Sequence, residues 1–372
     1  AIFAKGKKPI SSGERLVQKD LALTLQRIAA AGREGFYAGP VARALSSLPG
    51  GLIRAADLTA YQAKWRDPLR FEYRGLHVEV MPPPSAGGVA VAQTLLMLQA
   101  LHADTLVPDS AAELHLFLEA SRRAQAERRF GVIDPDALSA EQIARQRTRW
   151  LDPNAWLKEH PIDPEHATPS ASVHPLYDSA LRELEHTAHL SVIDADGMVV
   201  SLTTTLSASY GAKIVAPGTG IVLNNSVASF ASSGDNQPVG GRRTVSSMAP
   251  TLVLDGEDPL LVLGTPGGDT IPSTIVQVLR RLVDHGETLA HAVDAPRVHH
   301  GFVPDEVRYE PRNAPPAAVL RELEQRGHKL KKGRSAIGDA NEILIRDHVA
   351  WAYADPREFG SALAAKPSAA AH

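Results

Sequence analysis

The sequence predicts a layered α+β fold, because its two halves differ in pattern. The first half is mostly helical by the spacing of its apolar residues. The second half begins with hairpins, in which short β-favouring runs flank turns rich in Asp and Gly. Helical segments lie between those hairpins, and this interleaving favours a layered α+β domain over a doubly wound parallel sheet.

Three helices and one linker are predicted in the first half. The first helix takes Asp20 as its N-cap and ends at Gly32. The second follows Gly87-Gly88, and the third spans residues 111 to about 129. Residues 151–179 are rich in Pro, His, Ser and Asp, and prolines interrupt regular structure. We therefore expect an exposed linker over 151–179.

Three hairpins and two further helices are predicted in the second half. Each hairpin joins two apolar runs through a short polar turn. The hairpins are expected at 187–204, 251–263 and 343–353, and the helices at 273–283 and 317–326.

Composition excludes several classes of function. The 39 Lys and Arg residues nearly balance the 42 Asp and Glu residues, for a formal charge of −3, and no basic stripe suggests nucleic acid. The absence of Cys excludes a disulfide framework, a thiolate zinc site and a cysteine nucleophile. No apolar run approaches the roughly 20 residues of a membrane helix, and the first six residues do not form a signal peptide. We expect a soluble chain whose substrate is a small molecule or peptide.

Thr187 is the strongest candidate nucleophile. It opens a predicted strand directly after the proline-rich stretch. A threonine hydroxyl needs a base, and its own α-amine can serve only if the bond between His186 and Thr187 is cut. The alternative is that Thr187 simply favours a β-strand.

A second candidate element is the turn Thr265-Pro266-Gly267-Gly268. It follows a predicted strand and could present two backbone N–H groups to a developing oxyanion. The alternative is a tight turn that leads into the next helix.

No metal site is predicted from the residues. His186 and His189 are expected on opposite faces of a strand, and neither they nor His299-His300 have a matching carboxylate cluster nearby. Composition leaves a Ser-His-Asp triad open, but no Gly-x-Ser-x-Gly elbow supports it.

The ordered motifs of the chain resemble the γ-glutamyltranspeptidase family over essentially its whole length. The segment Thr187-Ala188-His189-Leu190-Ser191-Val192-Ile193-Asp194 is similar to the start of the small subunit, and Met81-Pro82-Pro83-Pro84-Ser85 to part of the large subunit. Further similar motifs are Thr205-Leu206, Leu223-Asn224-Asn225, Ser246-Ser247-Met248, Thr265-Pro266-Gly267-Gly268, Ala295-Pro296-Arg297 and Asp355-Pro356-Arg357.

The resemblance implies a mechanism for Thr187. The precursor cuts itself before Thr187, whose α-amine then acts as base for its own hydroxyl. The implied oxyanion donors are the amides of Gly267 and Gly268, and Thr205 hydrogen-bonds the nucleophile. The implied reaction is transfer of a γ-glutamyl group from an amide such as glutathione to water or an acceptor amine, through a threonine acyl-enzyme.

The resemblance also implies the architecture. It is the N-terminal-nucleophile αββα four-layer sandwich, with 1–186 as the C-terminal part of a large-subunit-like segment and 187–372 as the small-subunit-like catalytic segment. Both segments are expected in one structural domain, with no metal or cofactor. The N-terminal third of the usual large subunit, which carries a donor-binding arginine, is not matched, so we expect a missing segment or a second chain. The resemblance to this family also implies a periplasmic or secreted location.

Substrate binding is implied at five serines. Ser246 and Ser247 match residues that bind the donor's α-carboxylate. Ser207, Ser226 and Ser229 stand where the family grips the donor's α-ammonium, with an acidic residue near the position of Ser229. Serine supplies no countercharge, and the segment 231–244 contains no lid tyrosine. These departures resemble glutaryl-type cephalosporin acylases of the same family; an inactive fragment or unprocessed precursor is the remaining alternative.

Overall fold

The computed structural model describes residues 2–5, 8–174, 186–231 and 235–365. It divides the chain into two compact units, the first made of Ala1–Arg66 and Ala208–Asn225 and the second of Asp67–Ser207 and Ser226–His372. None of the helices within the described ranges is long and apolar enough to cross a membrane.

The first unit is small and mostly helical. Its core contains Val41, Leu45 and Leu58 together with Ala216 from the second stretch of chain. Thr24 Oγ1 also joins the two stretches by donating a 2.8 Å hydrogen bond to the carbonyl oxygen of Thr219. Its elements are β1 Ala4–Lys5, β2 Lys8–Pro9, α1 Lys19–Ala31, α2 Glu34–Tyr37, α3 Gly39–Ser46 and α4 Ala55–Ala60.

A six-stranded antiparallel sheet organises the second unit. Its strands are β3 Leu69–Tyr73, β4 Leu76–Val80, β7 Thr251–Asp255, β8 Asp258–Leu263, β12 Asn341–Arg346 and β13 Val349–Ala354. Their order in the sheet is β13-β12-β8-β7-β4-β3. In β3, for example, Leu69, Phe71 and Tyr73 are buried while the residues between them are exposed, as expected for one apolar face. A three-stranded sheet consists of β9 Val298–His300, β10 Val307–Tyr309 and β11 Leu330–Lys332.

Helices pack against this sheet in a buried layer. Helix α5 is buried along nearly its whole length, and α6 buries charged residues as well as apolar ones. In α6, Glu119 pairs with both Arg122 and Arg123, so these charges are compensated within the protein. The helices of the unit are α5 Gly87–Ala100, α6 Ala111–Phe130, α7 Ala140–Trp150, α8 Pro153–Glu159, α9 Ser170–Val173, α10 Ile271–Val283, α11 Leu289–Asp294 and α12 Ala317–Gln325.

The hairpin of β5 His186–Ile193 and β6 Val199–Ser207 forms a separate layer. Its inner face contacts the six-stranded sheet: Ser191 Oγ donates to the carbonyl oxygen of Asn341 at 2.7 Å, and Ser201 Oγ to that of Leu263 at 2.8 Å. Its outer face exposes five apolar side chains, namely Leu190, Val192, Val200, Leu202 and Leu206. The α+β prediction and the three predicted hairpins are therefore confirmed.

Three details of the sequence prediction were wrong. The predicted linker is folded from residue 151 to 174: Trp156 and Val173 are buried, in α8 and α9 respectively. Pro153 starts α8 instead of breaking structure, because proline fits the first turn of a helix. The strands β3 and β4 were missed within the mostly helical half, and α1 begins at Lys19 without the predicted Asp20 cap. Residues 175–179 of the predicted linker lie outside the described residues.

Candidate active site

One cavity of about 180 Å³ in the second unit brings together eight of the nine predicted site residues. Those eight are Thr187, Thr205, Ser207, Ser226, Ser229, Ser246, Ser247 and Gly268, and Gly267 is adjacent in the chain to Gly268. The volume corresponds to about six water molecules, which suits a small acyl group.

The β5–β6 hairpin positions Thr187 beside Thr205. The two residues are cross-strand partners, and Thr187 Oγ1 donates a 3.3 Å hydrogen bond to Thr205 Oγ1. Thr205 Oγ1 also accepts a 2.8 Å hydrogen bond from the backbone N–H of Ser207. Thr205 is therefore oriented by its own strand and holds the hydroxyl of Thr187 in one place.

The strand pairing is irregular at the peptide bond before Thr187. His186 pairs with Ser207 whereas Thr187 pairs with Thr205, so the register shifts between them. Ser207 has a φ of 76°, in the left-handed region that non-glycine residues rarely adopt. A bulge and a strained residue thus lie opposite the bond whose cleavage would give Thr187 a terminal amine.

Thr187 also borders a second, larger space. A groove of about 1240 Å³ runs along β5, β12 and β13 to the segment 359–365. Because Thr187 lines both this groove and the smaller cavity, the residue lies at their boundary. A group in the cavity and a second group in the groove could therefore both lie next to Thr187.

The turn after β8 brings Gly268 to the cavity. Gly267 has a φ of 136° and Gly268 a φ of 61°, so both positions favour glycine. The turn is held through its carbonyl oxygens: Thr270 Oγ1 donates to that of Gly267 at 2.9 Å, and Thr265 Oγ1 to that of Pro266 at 2.7 Å. Such a turn can aim consecutive backbone amides at an anion.

Ser246 and Ser247 are fixed by the N-terminal end of α5. The carbonyl oxygen of Ser246 accepts a 2.8 Å hydrogen bond from the backbone N–H of Ala86. A Cβ atom on Gly87 would lie 2.1 Å from the carbonyl oxygen of Ser247, so only glycine permits this approach. The motif Pro84-Ser85-Ala86-Gly87 thereby supports the serine wall of the cavity.

Sequence reasoning missed the polar groups behind that wall. Arg128 of α6 donates a 2.7 Å hydrogen bond from Nη1 to Ser247 Oγ. Arg128 also donates to Gln125 Oε1, and Gln125 Nε2 donates to the carbonyl oxygen of Asp269 at 3.1 Å. The available signal was a run of charged residues at the end of a helix otherwise expected to pack by its apolar face.

The cavity differs in charge from the layer behind it. Its lining, drawn from the described residues, contains no ionisable acid or base, and the remaining lining residues are Thr244, Val245, Met248 and Ile271. Behind it, burial opposes ionisation of Asp269, but His299 and Arg308 hold the pKa of that carboxyl well below its usual range. Arg308 Nη2 lies 2.7 Å from Asp269 Oδ1.

The candidate metal ligands are engaged in other contacts. His299 Nδ1 lies 2.7 Å from Ser273 Oγ, and His300 Nε2 lies 3.1 Å from Asp305 Oδ1. His189 lies between Thr203 and Ser191, at 2.8 and 3.1 Å. Within the described part of the chain, no group of three or more His, Asp or Glu side chains could hold a metal ion.

The chain is similar to one protein family and to several known proteins. The model of the family "Gamma-glutamyltranspeptidase" matches residues 1–365. The glutathione hydrolase proenzyme of Escherichia coli (strain K12) is 36% identical over 375 residues, covering 96% of this chain and 63% of that protein. The acylase ACY 1 proenzyme of Pseudomonas sp. (strain SE83) is 36% identical over 357 residues, covering 93% and 60%.

A solved structure supports the fold. The cephalosporin acylase from Bacillus halodurans matches with a TM-score of 0.80 and 25% identity, over 96% of this chain and 64% of that one. The chain therefore spans about three fifths of the length of these proteins.

Proposed function

The chain belongs to the γ-glutamyltranspeptidase family, and we propose that it carries the active site of a γ-glutamyl amide hydrolase or transferase with Thr187 as nucleophile. The observation that carries this proposal is the cavity in which Thr187, Thr205, Ser247 and Gly268 meet. Glutathione is the type of donor suggested by the name of the Escherichia coli relative.

Activation begins with the peptide bond before Thr187. In the uncleaved chain the nitrogen of Thr187 is a peptide nitrogen without basicity. The Thr187 hydroxyl attacks the carbonyl carbon of His186, the C–N bond breaks, and water hydrolyses the resulting ester. Cleavage leaves a terminal amine on Thr187, which can then take the proton of its own hydroxyl.

Substrate turnover uses the same groups. Thr187 Oγ1 attacks the amide carbon of the donor, and the hydroxyl proton passes through the α-amine to the leaving amine as the C–N bond breaks. Amides of Gly267 and Gly268 stabilise the oxyanion, and Thr205 orients the nucleophile. Water or an acceptor amine then attacks the acyl-enzyme ester and regenerates the hydroxyl.

A glutaryl-type acylase is the second candidate function. The cavity lining contains Ser207, Ser226 and Ser229 but no carboxylate among the described residues, so a donor's ammonium group would find no countercharge there. A glutaryl group has the same terminal carboxylate without that ammonium. The ACY 1 relative and the cephalosporin acylase structure agree with this choice.

The outer face of the β5–β6 hairpin is an exposed apolar surface. Five apolar side chains are exposed there, including Leu190 and Leu202 at 46% each. Exposed apolar faces of this kind are normally covered in a functional assembly. We propose that a polypeptide equivalent to the unmatched part of the relatives covers this face.

We also propose, from the family resemblance, that the protein is exported or periplasmic.

Intact mass measurement tests the proposed cleavage before Thr187, and turnover assays test the proposed reaction. We expect the purified protein to yield two fragments of 186 residues each and Thr187→Ala to remain one chain. Thr187→Ser, which keeps a hydroxyl, is the matched control and should be cleaved. Equal cleavage of wild type and Thr187→Ala would contradict the nucleophile assignment.

Assays of γ-glutamyl-p-nitroanilide and glutaryl-p-nitroanilide decide between the two substrates. A kcat/KM at least tenfold higher for one donor identifies the acyl group that the enzyme prefers. Cleaved protein that turns over neither donor supports the alternative of an inactive fragment.

A further inference from the structure

Arg128 connects two walls of the candidate cavity. Its guanidinium donates from Nη1 to Ser247 Oγ at 2.7 Å and from Nε to Gln125 Oε1. Gln125 Nε2 in turn donates to the carbonyl oxygen of Asp269 at 3.1 Å. Asp269 directly follows Gly268, so three hydrogen bonds join Ser247 to the turn that carries Gly267 and Gly268.

The hydrogen-bonded series from Ser247 through Arg128 and Gln125 to Asp269 has little freedom to move. Arg128 is 2% exposed and Gln125 is 1% exposed, and both lie on helix α6. The Asp269 end of this series is held by Arg308, whose Nη2 donates to Asp269 Oδ1 at 2.7 Å. The position of the Ser247 hydroxyl is therefore set by groups that themselves have buried partners.

Arg128 also places a cation behind the cavity, where the carboxylate of Asp269 partly compensates its charge. The field of a charge is screened less in a buried site than in water. Ser247, which accepts a hydrogen bond from this cation, lines the cavity, and the other lining residues among those described are uncharged. Because the Ser247 oxygen accepts from Arg128, its proton is directed away from the guanidinium.

We propose that Arg128, held by Gln125, is a positioning residue that makes Ser247 selective for a carboxylate on the acyl group. The inference rests on the proposed function in that it places the acyl group in the cavity beside Thr187. Arg128 is buried behind Ser247 and does not line the cavity, so it acts through the Ser247 hydroxyl and through its charge.

The first experiment measures binding without turnover. In the uncleaved Thr187→Ala protein, Kd is determined for glutaramate and for pentanamide, which carries a methyl group in place of the terminal carboxylate. Arg128→Met keeps most of the side-chain volume and removes the charge. We expect its Kd for glutaramate to rise at least ~10-fold, as for loss of a charged hydrogen-bond system, and that for pentanamide to change less than ~2-fold.

A double-mutant cycle tests whether Arg128 acts through Ser247. Ser247→Ala should weaken glutaramate binding, and adding Arg128→Met to it should weaken binding by less than Arg128→Met does alone. Arg128→Lys, which keeps the charge but not the two-pronged geometry, should recover part of the affinity. Gln125→Met breaks the bridge with the charge intact and should give a smaller loss in the same direction.

Thermal unfolding of each variant shows whether it is folded. If Arg128→Met does not fold, the glutaramate and pentanamide affinities of Gln125→Met and Arg128→Lys test the role of Arg128 instead. Equal losses for glutaramate and pentanamide, additive effects in the cycle, or no binding of glutaramate to the Thr187→Ala protein would each overturn the inference. Turnover by the wild-type protein is scored separately. Carboxylate-selective binding without turnover therefore rejects the proposed function and leaves the role of Arg128 standing.

Discussion

Thr187 Oγ1 and Thr205 Oγ1 lie 3.3 Å apart across the β5–β6 hairpin, with Thr187 as the donor. The same Thr205 oxygen accepts from the N–H of Ser207 at 2.8 Å. One side chain therefore links the candidate nucleophile to the strained residue opposite the His186–Thr187 bond.

Replacing Thr205 by valine keeps the shape of the side chain and removes this acceptor. We expect Thr205→Val to lower kcat about 10-fold, because a hydrogen bond of this kind contributes roughly 1–1.5 kcal/mol. The measurement is kcat for the better of the two anilide donors, with Thr205→Ser as the control that retains the hydroxyl. Undiminished kcat in Thr205→Val would show that Thr205 does not orient the nucleophile.

The backbone of the turn that carries Gly267 and Gly268 gives a second prediction. Gly267 has a φ of 136°, and a Cβ atom there would lie 2.4 Å from Thr270 Oγ1. We expect Gly267→Ala to lower the free energy of unfolding by about 2–3 kcal/mol, since both strain and a close contact are introduced. Activity should fall with it, because the neighbouring amide of Gly268 would move.

Gly256 provides the matched control for this change. It lies in the β7–β8 turn with a φ of 61°, and nothing lies within 4 Å of the Cβ position. Gly256→Ala should lower the unfolding free energy by only about 1 kcal/mol and leave kcat unchanged. Denaturant titrations of both variants compare the two glycines, and equal destabilisation would mean that the contact with Thr270 does not matter.

The pH dependence of stability should reflect Asp339, whose backbone N–H donates to Thr265 Oγ1 at 2.8 Å. Burial, together with the charge of Asp355, raises the pKa of the Asp339 carboxyl from 3.8 to about 6. The folded protein therefore binds this proton more tightly than the unfolded chain, so the contribution of Asp339 to the free energy of unfolding should rise as pH falls from 7 towards 4. The group is partly exposed and solvent screens it, so we expect a contribution of about 1 kcal/mol.

Asp339→Asn should stabilise the protein at pH 7 and remove that part of the pH dependence, because the amide resembles the protonated acid. Unfolding is measured at pH 4, 5, 6 and 7. Asp196→Asn, in the exposed turn of the β5–β6 hairpin, is the control and should keep the wild-type profile. An unchanged profile in Asp339→Asn would assign the pH dependence to other groups.

The sequence predicted the parts of the site that depend on local pattern. The β5–β6 hairpin follows from alternating β-favouring residues around an Asp-Gly turn, and it alone places Thr187 near Thr205. The glycine turn follows from two adjacent glycines at a strand end. Family resemblance supplied the serines of the cavity, whose separation along the chain gives no local signal.

What the sequence could not predict depends on distant contacts. Arg128 and Ser247 are 119 residues apart, and no periodicity links them. The folded segment at 151–174 was missed because prolines were interpreted as breakers. Asp152 caps α8 by accepting from the N–H groups of Asn154 and Ala155, both at 3.0 Å, so Pro153 is compatible with the first turn.

Ser229 gives the last prediction, which concerns substrate choice. It lines the cavity and stands where the resemblance places an acidic residue. Ser229→Asp should raise kcat/KM for γ-glutamyl-p-nitroanilide relative to glutaryl-p-nitroanilide by about 10-fold or more, since a charge-assisted hydrogen bond to the ammonium contributes roughly 1.5–3 kcal/mol. The glutaryl donor should meanwhile lose activity, because its carboxylate is repelled by the new charge. Ser229→Asn, similar in size and neutral, should shift the ratio far less, and an equal shift in both variants would show that size and not charge at this position selects the donor.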